Sequence, residues 1–207
     1  MAMMGRFANK IRLYVGGMNL RRTARHLGIH QRTVSFWVRN MCAAYLKRHN
    51  PRRSKPQKWT NSLHNIGNKK NKIYLITLVD RQTRCVLGWK VAWEQTTPVI
   101  QQLVDDAPKA REYFSDGWET YATRWYHLGR YQVSDGKSDT YSVEADNAEF
   151  HHYLARLARS SRCFSRCPHA LECALTLFVF CFNSRQLHKR QFPAYPAHLI
   201  DFIGPVF

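Results

Sequence analysis

The chain has 207 residues, 44% of them hydrophobic and 13% aromatic, which suffices for one medium domain or a small domain beside a larger one. Lys and Arg number 32 against 14 Asp and Glu, a net charge of +18, and such a balance points to a polyanionic partner because neutralising phosphates releases counterions. No apolar signal core opens the sequence and the longest apolar run, residues 174–182, is too short to span a bilayer, so a membrane protein is not expected and the chain is read as cytoplasmic. Six cysteines in a chain of this length do not make a disulfide framework. Cys163, Cys167, His169 and Cys173 have zinc-ligand chemistry but lack the paired C-x-x-C spacing, so buried or idle thiols are expected there.

Residues 10–46 read as helices with short breaks. Ile11, Leu13, Tyr14 and Val15 form a first apolar group that Gly16-Gly17 ends. Asn19 is placed to cap LRRTARHLG, which carries Leu20, Ala24 and Leu27 on one face, and Gly28 allows a tight turn. HQRTVSFWVRNM then sets Val34, Trp37 and Val38 at helical spacing. A small residue where two helices meet, a glycine turn and a polar second helix make a helix-turn-helix pattern. Gln31, Arg32, Thr33 and Ser35 are the candidate groove readers, and Arg39 a phosphate contact. A plain three-helix packing module would share the apolar spacing; the density of arginine and the position of the turn favour DNA. Residues 47–58, KRHNPRRSKPQK, form a basic linker in which Arg52 and Arg53 would track a DNA backbone, or serve as a solvated tether.

From Lys72 the pattern changes. KIYLITLVD and RCVLGWKVAW are β-branched and aromatic runs joined by a short polar turn that Asp80 shapes. Thr97-Pro98 opens a helix through Val99, Leu103 and Val104. REYF (111–114) reads as a strand ending near Asp116, GWETYATRWY as helical and YQV as a short strand. Two long helices are expected at about 143–160 and 168–183, and the proline-interrupted end, FPAYPAHLIDFIGPVF, as an irregular tail. The order hairpin, helix, strand, helix, strand, helix predicts an α/β layout with a mixed sheet.

Chemistry concentrates in residues 140–166. Glu144 opens a helical pattern, Asn147 lies three residues on and so on the same face, and Arg156, Arg159, Arg162 and Arg166 follow at near-helical steps. A carboxylate at a strand end, Asp116, and another on a basic helix suggest metal-assisted phosphoryl chemistry on nucleic acid. Hard oxygen ligands hold Mg²⁺, and two such ions clamp both oxygens of an in-line displacement.

Residues 71–74, 79–84 and 87–89, Tyr113 to Trp118, Val143 to Asn147, and the Arg156–Arg159 and Cys163–Arg166 stretches resemble insertion-sequence transposases of the IS-one type, and the helix-turn-helix resembles that family's DNA-binding region. The resemblance covers nearly the whole chain. It implies a ribonuclease-H-like fold with a DDE triad, two divalent cations (Mg²⁺ or Mn²⁺), and cleavage and transfer of strands of double-stranded DNA by a homodimer or higher oligomer. On this reading the chain divides into a helix-turn-helix domain at 1–46, the linker at 47–58 and a ribonuclease-H-like domain at 59–207. Asp116 matches the second aspartate, Glu144 the glutamate and Asn147 the polar residue one turn beyond. The first aspartate and the glutamate after it fall on Thr60 and Asn61, and Asp80 and Asp105 are poor substitutes, one in a hairpin turn and one late in a helix; of these Asp80 is the first to test. The zinc-binding N-terminal region of many relatives has no counterpart, since no cysteine precedes Cys42, as in a truncated, decayed or repurposed copy.

Three functions compete. An active transposase is favoured by Asp116, Glu144, Asn147 and the basic helix. A DNA-binding regulator or transposition inhibitor without catalysis is favoured by the helix-turn-helix, the charge and Thr60-Asn61. A structural protein using only its basic surface leaves the settings of Asp116 and Glu144 unexplained.

Overall fold

The structure, a computed structural model, describes residues 11–48, 57–66, 68–115, 118–127, 129–133, 148–154 and 168–203. In chain order the elements are α1 (11–15), α2 (Leu20–Leu27), α3 (Gln31–Arg48), β1 (Gln57–Ile66), β2 (Asn68–Asp80), β3 (Val86–Ala92), α4 (Thr97–Asp106), β4 (Glu112–Ser115), α5 (Glu119–Ala122), β5 (Arg130–Val133), α6 (148–153), α7 (Pro168–Gln191) and a final 3₁₀ turn, Leu199–Phe202. The protein is mixed α/β with a helical N-terminal region. Its chain divides into two compact units, Met1–His49 with His151–Phe207, and Asn50–Phe150.

The first unit joins the two ends of the chain. Along α3, Val34, Val38, Cys42 and Tyr45 recur at helical spacing and are all buried. Their partner is α7, which carries buried residues on every side, from Leu171 through Phe182, as a core helix does. Tyr45 of α3 stacks on Phe180 of α7 with ring centroids 3.9 Å apart, and the Tyr14 hydroxyl donates to the Ala170 carbonyl at 3.2 Å. α7 runs eight residues past its expected end at 183, to Gln191. The tail folds back on it: Arg185 Nε donates to Ala197 O at 3.2 Å, and the guanidinium lies 4.8 Å from the Tyr153 ring centroid.

The second unit is a five-stranded sheet in the order β3-β2-β1-β4-β5. β1, β2 and β3 are antiparallel neighbours, while β4 runs parallel to β1, and β5 parallel to β4. Strand β2 is buried on both faces. Ile76 and Leu78 share one face with Trp59 and meet Ile100, Leu103 and Val104 of α4; Ile73, Leu75, Thr77 and Val79 are buried on the other. Thr96 precedes α4 in extended conformation and Pro98 sits in its first turn, as expected. The hairpin turn also forms as predicted: Asp80 Oδ1 accepts from the N–H groups of Gln82 at 2.7 Å and Thr83 at 3.0 Å.

Two readings need correction. β1 was not expected as a strand: WTNSLHNI carries few β-branched residues, yet it pairs with β2 along its length, from Gln57↔Asp80 to Ile66↔Asn68. The segment 117–126 was expected to be helical throughout, but of its described residues only Glu119–Ala122 are, because Tyr126 leaves the helix to bury its ring between Tyr113 and Tyr131, 4.6 and 5.4 Å away.

Candidate nucleic-acid interface

Two short helices and the turn between them build the candidate interface. The Asn19 side chain accepts from the Arg22 N–H at 2.8 Å and so satisfies one of the open donors at the start of α2. At the other end Gly28 adopts φ 65, ψ 30, and the Ile29 N–H returns to Ala24 O at 3.0 Å, closing the helix with a left-handed cap. A Cβ at Gly28 would meet nothing within 4 Å, so glycine is needed there for its backbone angle and not for space. Gly28→Ala is therefore expected to lower stability by about 1–2 kcal/mol, the cost of a left-handed L-residue. Urea denaturation measures it, and an unchanged midpoint would show the turn to be indifferent to that angle.

His30 then starts α3, its Nδ1 accepting from the Arg32 N–H at 3.2 Å and its carbonyl from the Thr33 N–H at 3.0 Å. Arg21 Nε donates to Gln31 Oε1 at 3.3 Å and ties α2 to the first turn of α3. The five predicted contact residues all lie on α3. Arg32 and Arg39 are exposed, Ser35 is half-buried between them on the same face, Thr33 is half-buried on its flank, and Gln31 is exposed but engaged by Arg21. Phe36 completes the face, at i+4 from Arg32 and 63% exposed. The sequence reading missed it because the apolar spacing was followed only on the inward side; the same 3.6-residue period, applied outward from Arg32, finds it.

Electrostatics favour an anion here. Arg21, Arg22, Arg25 and His26 are exposed on α2 beside the α3 face. No Asp or Glu occurs before Asp80, and the first turn of α3 holds no acid that would neutralise its positive helix terminus.

The predicted carboxylate centre is less accessible. Asp116, Glu144 and Asn147 lie outside the described residues, as do Arg52, Arg53, Arg156 and Arg159. β4 ends at Ser115, and its parallel register on β1 pairs Gln57 with Tyr113 and Lys58 with Phe114. Thr60 pairs with Thr77 across the antiparallel side. Asp80, the first of the substitute carboxylates to test, sits at the turn end of β2. It lies three positions from Thr77 along β2, an odd number, so the two side chains leave opposite faces of the sheet, about 10 Å apart along the strand. Its carboxylate is already committed to the turn. Asp105 is likewise engaged, accepting from Gln101 Nε2 at 3.1 Å with His127 Nε2 at 3.0 Å.

No group of three His, Cys, Asp or Glu side chains among the described residues can hold a metal ion. Of the substitutes considered, Asp80 and Asp105 are each held by other partners, and Thr60 supplies no carboxylate. Of the cysteine cluster, Cys163 and Cys167 lie outside the described residues, and Cys173 is buried with its Sγ 3.8 Å from His169 Nε2. Cys173 also hydrogen-bonds the buried Cys42 thiol and, against the effect of burial, holds it below the usual thiol range.

No helix among the described residues is long and apolar enough to cross a membrane. The chain matches no known family model and no curated protein.

Proposed function

We propose that this chain is a DNA-binding protein of transposase type, in which α3 lies in the major groove of duplex DNA and the arginines of α2 engage the flanking phosphates. The observation that carries the reading is the α3 face: Arg32, Ser35, Phe36 and Arg39 beside Arg21, Arg22 and Arg25, in a stretch without a single acid. Arginine donates bidentately to guanine edges, and an aromatic ring contacts the thymine methyl. On the same reading the sheet unit is ribonuclease-H-like and the chain works as a homodimer or higher oligomer; light scattering of the DNA complex measures the latter.

The test is titration of the full chain with labelled duplexes across a salt series. The whole chain is used, because Tyr45 stacks on Phe180 and the Tyr14 hydroxyl donates to Ala170 O, both in α7. Log K is expected to fall steeply against log salt, by about 0.9 per phosphate contacted. Arg32→Ala is expected to weaken binding by about 1–3 kcal/mol at sites matching its base and less elsewhere. A flat salt response would overturn the reading, and equal weakening on every sequence would make Arg32 a phosphate contact.

A second reading, metal-dependent strand cleavage and transfer, draws on the transposase resemblance, in which Asp116 matches the second aspartate and Thr60 the position of the first. With a neutral hydroxyl there, the regulator without catalysis is the reading we adopt for the unaltered chain.

A further inference from the structure

Residues 123–127, between α5 and β5, hold one indole in water by an unusual number of contacts. The Trp125 N–H donates to Gln101 Oε1 at 3.0 Å, and Gln101 Nε2 donates to Trp125 O at 3.1 Å, so a single α4 side chain satisfies both backbone groups of that residue. Gln101 is itself braced by Asp105, which also meets His127 Nε2, and His127 is held at φ 54. Hydrogen bonds from Gln101 and then His127 keep the Asp105 carboxyl below the usual carboxylate range, so the brace stays ionised at neutral pH. On one side of Trp125, Arg124 Nε donates to Thr120 O at 2.6 Å; on the other, the buried Tyr126 hydroxyl donates to Tyr121 O at 2.6 Å. The chain is pinned before, at and after Trp125, yet the indole is 68% exposed. A loose loop would let the ring fold back onto apolar surface; this one prevents it.

The surroundings select the occupant. Arg124 adjoins the ring in sequence, and Arg130 and Arg111 are exposed in the same region, joined by the Arg130 N–H to Arg111 O bond at 2.7 Å. An exposed aromatic face with two exposed arginines, one a few residues along the chain and the other bonded to it through the backbone, suits a nucleobase with its phosphates, since every base has a π-face and stacking on aromatic rings tolerates sequence.

We propose that Trp125 is a stacking site for an unpaired base of a DNA strand, with the exposed Arg130 and Arg111 serving the flanking phosphates. This rests on the DNA-binding reading above and adds to it a second, single-strand-selective contact in the sheet unit.

The experiment uses the full chain with a fluorescein-labelled 12-nucleotide single strand and the same sequence fully paired, followed by anisotropy at constant salt. Trp125→Ala is expected to weaken single-strand binding by roughly 5- to 150-fold, the equivalent of one stacked base. Duplex binding should remain within twofold, and Trp125→Phe should retain most of the single-strand affinity. Unchanged single-strand binding in Trp125→Ala, or no single-strand binding by the unaltered chain, overturns the proposal. Equal loss on both probes together with a lowered melting temperature also overturns it, as a packing effect. If sedimentation shows that Trp125→Ala instead dissolves an oligomer, the indole covers a second copy and not a base. Failure of the helix-turn-helix reading looks different: duplex binding would then be indifferent to Arg32→Ala whatever Trp125 does.

Discussion

Thr60→Asp, alone or with Asn61→Glu, is expected to raise Mg²⁺-dependent nicking of duplex DNA at least tenfold above the unaltered chain, a gain of about 1.4 kcal/mol in the transition state. Asp116→Ala in that background is expected to abolish it. Divalent cations are held by charged oxygen ligands, and a threonine hydroxyl is neutral. Thr60 is the position that the transposase resemblance matches to the first aspartate, and the substitution places a carboxylate there. Relaxation of supercoiled plasmid in Mg²⁺ and in chelator reads the effect directly. Robust nicking by the unaltered chain, lost on Asp116→Ala, would mean that another group supplies the third carboxylate. That group would not be Asp80, whose oxygen is spent on the Gln82 and Thr83 amides and whose side chain leaves the sheet opposite to Thr77. Asp80→Asn should accordingly leave any such nicking unchanged.

Gly129→Ala should damage the sheet unit more than Gly28→Ala damages the helical one, although the second position has the left-handed backbone. A Cβ at 129 would lie 2.5 Å from Tyr113 Cε2 and 2.6 Å from the Ala110 carbonyl oxygen. The carbonyl is backbone and cannot swing aside. The tyrosine is buried, its hydroxyl accepts from the Ala110 N–H at 3.0 Å, and its ring meets Tyr126. Overpacking of this kind costs about 1–3 kcal/mol, or about 2–12 °C of melting temperature for a chain of this size. Thermal denaturation measures the change. Equal melting temperatures would mean that the Ala110–Tyr113 segment yields freely.

Local chemistry was legible wherever one residue decides the backbone. Asn19, Gly28, Pro98 and Asp80 each serve the cap or turn that their side chains or φ preferences dictate. The inward stripe of α3 followed from period alone. β1 escaped because its strand status comes from pairing on both sides, with β2 and β4, and not from its own residues. The short α5 escaped because Tyr126 gains more from the aromatic cluster around Tyr113 than from another helical turn, a tertiary choice invisible locally. For the site, the basic face of α3 could be read from Arg32 and Arg39, and Phe36 from the same period, but Trp125 could not be weighed, since exposure of an aromatic ring in a loop depends on what fails to cover it.

The union of the chain's two ends in one unit has a biosynthetic consequence. Translation delivers α2 and α3 first, yet the apolar side of α3 waits for α7, whose first residue is Pro168. Closing so long a loop is slow, and the sheet unit, contiguous in sequence, is free to form beforehand. A nascent chain would therefore emerge with the apolar side of α3 uncovered, and a stop codon between residues 49 and 168 would remove that cover while leaving every residue of α2 and α3 intact. Whatever α3 does, it does only once α7 has been made.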